Sequence, residues 1–218
     1  MEKKMAIKRR AFQRVLLLIA GGLTVCLLGC SGNKSKTAPF QMVFCSLSIN
    51  DKAVSDFGAS LLKEIPELTI DGKAPMFTPM IMGEVKNDIE AGVMSDPMMG
   101  MAGIMKMVAI VSTSDLDVFV SDMENAARQA RGGMFMPLAD IFSGDDLAAL
   151  ESRFLSFDIL NTEGIDPVPT GEKTPVCGIV ITGNEKMKGI FGDQEIGVFI
   201  IANTKNLELS KKVVKTLL

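Results

Sequence analysis

Five short apolar runs, separated by helix-like segments, constrain this chain more than any other feature. Residues 41–48, 76–82, 117–121, 176–182 and 196–202 read as strands. The central ones are near-continuous apolar runs, as in sheets covered on both faces. Pro79 within the second run predicts an edge position or a break. Helical patterns fall between the strands. Val54, Phe57, Leu61, Leu62 and Ile65 recur at i, i+3, i+7, i+8 and i+11 after the capping residues Asn50 or Asp51, and Pro66 closes that helix. Further helices are expected over 84–91, 97–111, 123–131 (stopped by Gly132-Gly133), 144–154 (capped by Ser143), 185–191 and 207–218. Residues 135–138 read as extended and 161–174 as a loop rich in Pro, Gly and Thr. Alternation of strands and helices predicts an α/β fold: a single three-layer domain with a largely parallel sheet. Ligands in such sheets sit beyond the carboxyl ends of the strands.

The N-terminus is an address. Lys3, Lys4, Lys8, Arg9, Arg10 and Arg14 precede an apolar run from Val15 to Leu28. That run is shorter than the roughly 20 residues a membrane span needs. A basic segment followed by a short apolar one reads as a secretory signal. It ends in Leu27-Leu28-Gly29-Cys30, which resembles the bacterial lipobox. The resemblance implies cleavage before Cys30 and lipid on its sulfur, with an uncleaved anchor helix as the alternative. The expected organisation is a signal peptide over 1–29, lipidated Cys30 and a polar tether over 30–39, and one domain over 40–218. The localisation that follows is extracytoplasmic, lipid-anchored to a bacterial cell membrane or outer membrane.

Charge and composition narrow the function. Removing residues 1–29 takes away six basic residues and one acid, so the formal charge moves from −3 to −8. Nucleic acid is therefore not an expected partner. The chain has no His, no Trp and no Tyr. Imidazole-dependent triads and the usual His-type zinc sites are excluded. Cys45 and Cys177 lie in apolar runs. They form either a disulfide or a pair of buried free thiols, and the preference of Cys for burial favours the thiols.

The stretch Ser112-Thr113-Ser114-Asp115-Leu116-Asp117-Val118-Phe119-Val120-Ser121-Asp122 leads into Glu124-Asn125 and then Gly133-Met134-Phe135-Met136-Pro137-Leu138. Near the end, Ile200-Ile201-Ala202-Asn203-Thr204-Lys205-Asn206 precedes a Lys-rich amphipathic helix. Together these resemble the extracellular solute-binding proteins of ABC transporters, of the type 2 periplasmic-binding fold, many of which are lipid-anchored. The resemblance implies a transport-related receptor and an ABC transporter permease as partner. Such receptors clasp ligand between two lobes and run to some 300 residues or more, whereas only 189 residues follow the cleavage site here. The chain therefore resembles one lobe, with the other reduced to about residues 154–174.

Polar residues at the expected strand ends are the candidate ligand site: Ser46, Ser48 and Asn50 after the first strand, Asp122 and Asn125 after the third, Asn203 after the last. Capping of the helices that follow is the plainer role for each. A second feature is the run of methionines Met94, Met98, Met99, Met101, Met105 and Met107, with Met76, Met80 and Met82 before it. Met98, Met101 and Met105 share one helical face and suit an adaptable interface. Thioethers also bind Cu(I), although the lack of His weakens that reading. No catalytic constellation and no resident cofactor is expected, so the chain reads as a non-enzyme. Three readings follow: a lipid-anchored binder of a small polar solute; an interaction scaffold or homodimer using the Met-rich surface; and a Cu(I)-binding lipoprotein.

Overall fold

The first strand, β1 (Gln41–Ser46), is buried along its whole length, which places it inside a sheet rather than on its edge. The computed structural model describes residues 38–82, 97–112, 115–162 and 167–218 and, within 97–112, the side chains of residues 103 and 105–111. The expected helix over 84–91, the signal segment, Cys30, and the side chains of Met98 and Met101 lie outside the described residues. Residues from Ala38 to Leu218 form one compact unit.

Strands and helices alternate from Gln41 to Arg131 as the apolar pattern predicts, whereas four strands follow one another between Phe154 and Val180. After β1 come α1 (Asp51–Glu64), β2 (Met76–Ile81), α2 (Pro97–Ser112), β3 (Val118–Asp122), α3 (Met123–Arg131), α4 (Gly144–Leu150), β4 (Phe154–Leu155), β5 (Asp158–Asn161), β6 (Val168–Lys173), β7 (Gly178–Val180), α5 (Glu185–Phe191), β8 (Ile196–Ile200) and α6 (Leu207–Leu217). Six strands form one sheet in the order β2-β1-β3-β8-β7-β4. β2 is an edge strand, which accommodates Pro79 opposite Phe44.

The sheet is mixed. β1 pairs parallel with β2 and β3, whereas β8 is antiparallel to β3 and β7, and β4 is antiparallel to β7. Four strands thus share one direction, while β8 and β4 run against it. The connection before β8 explains the reversal. α5 has seven residues, about 10 Å of helix. That is too short to return the chain across a five-residue strand, about 17 Å long. β8 therefore starts at the rim where β7 ends.

Two further expectations are corrected. The helix expected over 144–154 ends at Leu150, and Phe154 begins the edge strand β4. The segment expected as a loop over 161–174 contains β6, which pairs with β5 in a separate two-stranded antiparallel ribbon. β6 is exposed throughout and reads Val-Pro-Thr-Gly-Glu-Lys. It carries no alternating apolar signal from which a strand could be read.

Side-chain alternation sends β1 into two cores. Met42 and Phe44 join Val118, Val120, Val198 and Ile200 under α1, α5 and α6. Val43 and Cys45 join Phe119, Phe199 and Ile201 under α2 and α3, where Met107, Ala126 and Ala130 close the second core. Burial is the main stabilising term on both sides, at about 25 cal/mol per Å² of apolar surface. Glycines set two close approaches. A Cβ on Gly58 would lie 2.4 Å from the Phe77 ring, and one on Gly103 would lie 2.7 Å from the Ile81 carbonyl oxygen. α1 and α2 therefore lie directly against β2.

Candidate functional site

The carboxyl ends of β1 and β3 are neighbours, because Cys45 stands opposite Ser121 in their parallel register. Asp122 stands opposite Ile196, where β8 begins. The rim so formed gathers Ser46, Ser121, Asp122, Asn125 and Gln194.

Its hydrogen bonds are specific. The Ser46 hydroxyl donates to Gln194 Oε1. Gln194 Nε2 donates to the carbonyl oxygens of Phe191, at 2.8 Å, and Ser48, at 3.3 Å. The Gln194 side chain thereby satisfies a carbonyl at the end of α5, one of the groups a helix leaves unpaired. Asp122 caps α3, accepting from the Asn125 backbone N–H at 2.9 Å. Asn125 is 2% exposed. Its Nδ2 donates to the Met82 carbonyl at 2.9 Å and to Asp122 Oδ2 at 3.1 Å. Asn125 Oδ1 is fully enclosed and has no hydrogen-bond partner among the described residues, whereas the equally enclosed Ser121 hydroxyl faces the Cys45 thiol across the β1–β3 register and donates to it. Buried polar atoms are normally paired, so Asn125 Oδ1 marks the rim as unusual.

The sequence-predicted residues divide four ways. Ser46, Asp122 and Asn125 meet at this rim. Asn50 is exposed and caps α1 through the Ala53 N–H, at 3.1 Å. Ser48 is exposed and offers its carbonyl to Gln194. Asn203 does not join them. β8 runs antiparallel, so its carboxyl end lies at the opposite rim, where Val118 stands opposite Ile200. Sequence reasoning missed Gln194 and Ser121. Gln194 reaches the rim only because β8 starts there, which nothing local in the sequence announces. Ser121 carried one signal, its place as the last residue before the capping aspartate.

The opposite rim has its own polar centre. Asp117 is 1% exposed. Its carboxylate accepts from the Gln41 backbone N–H at 2.9 Å, from the Thr204 hydroxyl at 2.5 Å and from Asn206 Nδ2 at 3.1 Å. Burial pushes its pKa up, and these donors partly offset the rise. The arrangement ties the starts of β1 and β3 to the turn before α6.

Both described cysteines are buried free thiols. Burial, with the Asp122 carboxylate second, pushes the Cys45 thiol from 9.0 to about 12. Burial pushes Cys177 to about 11. Neither is a thiolate at neutral pH, so neither is an activated nucleophile. Met80, Met82 and Met107 are packed in the second core. Met105, by contrast, is 66% exposed on α2. Among the described residues, no three His, Cys, Asp or Glu side chains stand together as metal ligands. No helix among them is long and apolar enough to cross a membrane.

No family model, no curated protein and no solved structure matches this chain.

Proposed function

We propose that this chain is a lipid-anchored, extracytoplasmic solute-binding-like protein that holds a small polar solute at the carboxyl rim of its sheet without catalysis. The observation that carries this reading is Asn125 Oδ1, enclosed and without a hydrogen-bond partner among the described residues, next to the Asp122 carboxylate that accepts from the same amide. An amide oxygen beside a carboxylate favours a solute that donates N–H or O–H groups, admitted by a local opening of the rim. The place is the one where open α/β sheets bind ligands. Two apolar cores, formed by alternate residues of β1, support a three-layer domain. The resemblance to one lobe of a type 2 periplasmic-binding fold is consistent with this arrangement. The anchor rests on the lipobox-like Leu27-Leu28-Gly29-Cys30. An ABC transporter permease is the partner that the family resemblance implies.

Exposure of Met105 favours a second reading, an interaction protein that works through α2. Native mass spectrometry of the full chain, extracted from membranes in detergent, tests both. The solute reading expects a monomer with lipid on Cys30 and a small adduct that leaves on denaturation. The adduct should be lost in Asn125→Leu and Asp122→Asn. A ligand-free dimer overturns solute capture and favours the interaction reading.

A further inference from the structure

α2 is apolar around its circumference, with Lys106 as its one charged residue. A helix of that kind normally has cover on all sides. Here one side packs on the sheet through Gly103 and Met107. Another side is open: Met105 is 66% exposed and Val108 is 62% exposed, one turn apart. This stripe runs into a cleft of about 510 Å³, lined by Met107, Val108 and Val111 of α2 together with Met134, Ile201 and Asn203. Pockets of roughly 300–1,000 Å³ with mostly apolar walls suit small-molecule ligands.

The position of the cleft says what fills it. It opens at the rim opposite the proposed solute site, where β8 ends. β1 starts at the same rim: Gln41 and Asp117 exchange hydrogen bonds, and the Ile201 N–H donates to the Asp117 carbonyl. Gln41 and Ile201 are thus two strand spacings apart, about 10 Å. Between Cys30 and Phe40 lie nine residues, which span at most about 30 Å. A lipid on Cys30 would therefore keep this rim, where the tether joins the domain, within that reach of the bilayer. Tethering at that distance gives membrane lipid a high effective concentration at the cleft.

We infer that the cleft between α2 and the end of β8 takes up an acyl chain of a membrane phospholipid, entering along Met105 and Val108. The inference rests on the anchor part of the proposed function and is independent of the solute. A docked acyl chain covers the open side of α2 with apolar surface and fixes the domain with its solute rim facing away from the membrane.

The test uses full-length protein reconstituted into phosphatidylcholine vesicles, a fraction of whose lipid carries a diazirine at the end of one acyl chain. Irradiation and peptide mapping should place label on 105–111 and on 132–134. Val108→Glu should lower that label at least tenfold and leave label on 30–39 unchanged. Met105→Lys, also at an exposed position, serves if Val108→Glu alters the thermal unfolding curve. Lipidated protein with no label on α2 overturns the inference, as does label that neither variant changes. A dimer that abolishes the label overturns it and gives this face to a second copy. Intact mass of the same sample separates the two failures. A lipid-free Cys30 sinks the anchor reading and this inference with it, whereas lipid on Cys30 with a bare cleft sinks this inference alone.

Discussion

The ring of Phe135 stacks on the ring of Phe199, with centroids 4.3 Å apart and planes inclined by 21°. Phe119 lies against the same Phe135 at 5.6 Å, and Phe157 against Phe199 at 6.2 Å. Two glycines make room for this row. A Cβ on Gly178 would lie 2.1 Å from Phe199 Cε1, and one on Gly197 would lie 2.5 Å from Leu155 Cδ1 and 2.8 Å from Phe199 Cζ.

Alanine at either glycine should therefore overpack the second core. The ring cannot swing aside without breaking its stack, so the expected loss for Gly178→Ala is about 1–3 kcal/mol. Urea denaturation measures it. In a Phe199→Leu background the same substitution should cost less, since the obstructing ring is gone. A change that is equal in both backgrounds would falsify the account.

Asp117 holds three chain segments with one carboxylate. Asp117→Ala leaves the Gln41 N–H, the Thr204 hydroxyl and the Asn206 amide without their acceptor. Stranded buried donors cost about 1–3 kcal/mol each, and relaxation at the half-exposed members lowers the sum. The expected loss is about 3 kcal/mol. Hydrogen exchange should localise the damage to the amides of 40–42 and 201–204. A uniform loss of protection across the sheet would argue against a local clip.

The first helix and the two helices that flank β3 and β8 were readable because their apolar stripes and caps are local. Asn50, Asp122 and Asn184 each precede a helix and accept from its first backbone N–H groups. The direction of β8 was not readable. It follows from the seven-residue length of α5 relative to the strand, a relation between elements. That one reversal moved Asn203 to the far rim and brought Gln194 to the near one. The β5–β6 ribbon escaped notice for a different reason. Its strands bury too little to need an apolar period.

The two roles of Asp122 separate by substitution. Asn caps a helix about as well as Asp but gives up the Oδ2 acceptor of the buried Asn125 amide, so Asp122→Asn should cost about 1 kcal/mol. Asp122→Ala loses the cap as well and should cost about 2 kcal/mol. Thermal or urea unfolding reads both. If Asn and Ala prove equally costly, the charge, and not the cap, is what holds α3 in place.

Cys45 gives a pH dependence whose sign follows from burial. Its thiol is held at about 12 in the folded chain, against an ordinary value of 9.0. Above about pH 9 the unfolded chain releases this proton while the native chain keeps it. The unfolded state is then favoured progressively as pH rises towards the native value. The contribution is thus complete below pH 9 and is lost between about 9 and 12. Cys177, at about 11, adds a smaller loss over a narrower window. Urea midpoints under reducing conditions should stay level from pH 7 to 8.5 and fall above 9. The chain has no tyrosine, so no phenol titrates across this range. The lysines that do are common to wild type and variant. Cys45→Val should therefore flatten the alkaline slope while leaving the plateau below pH 8.5 level. An unchanged slope in the variant would place the alkaline sensitivity in the lysines and remove Cys45 from the account.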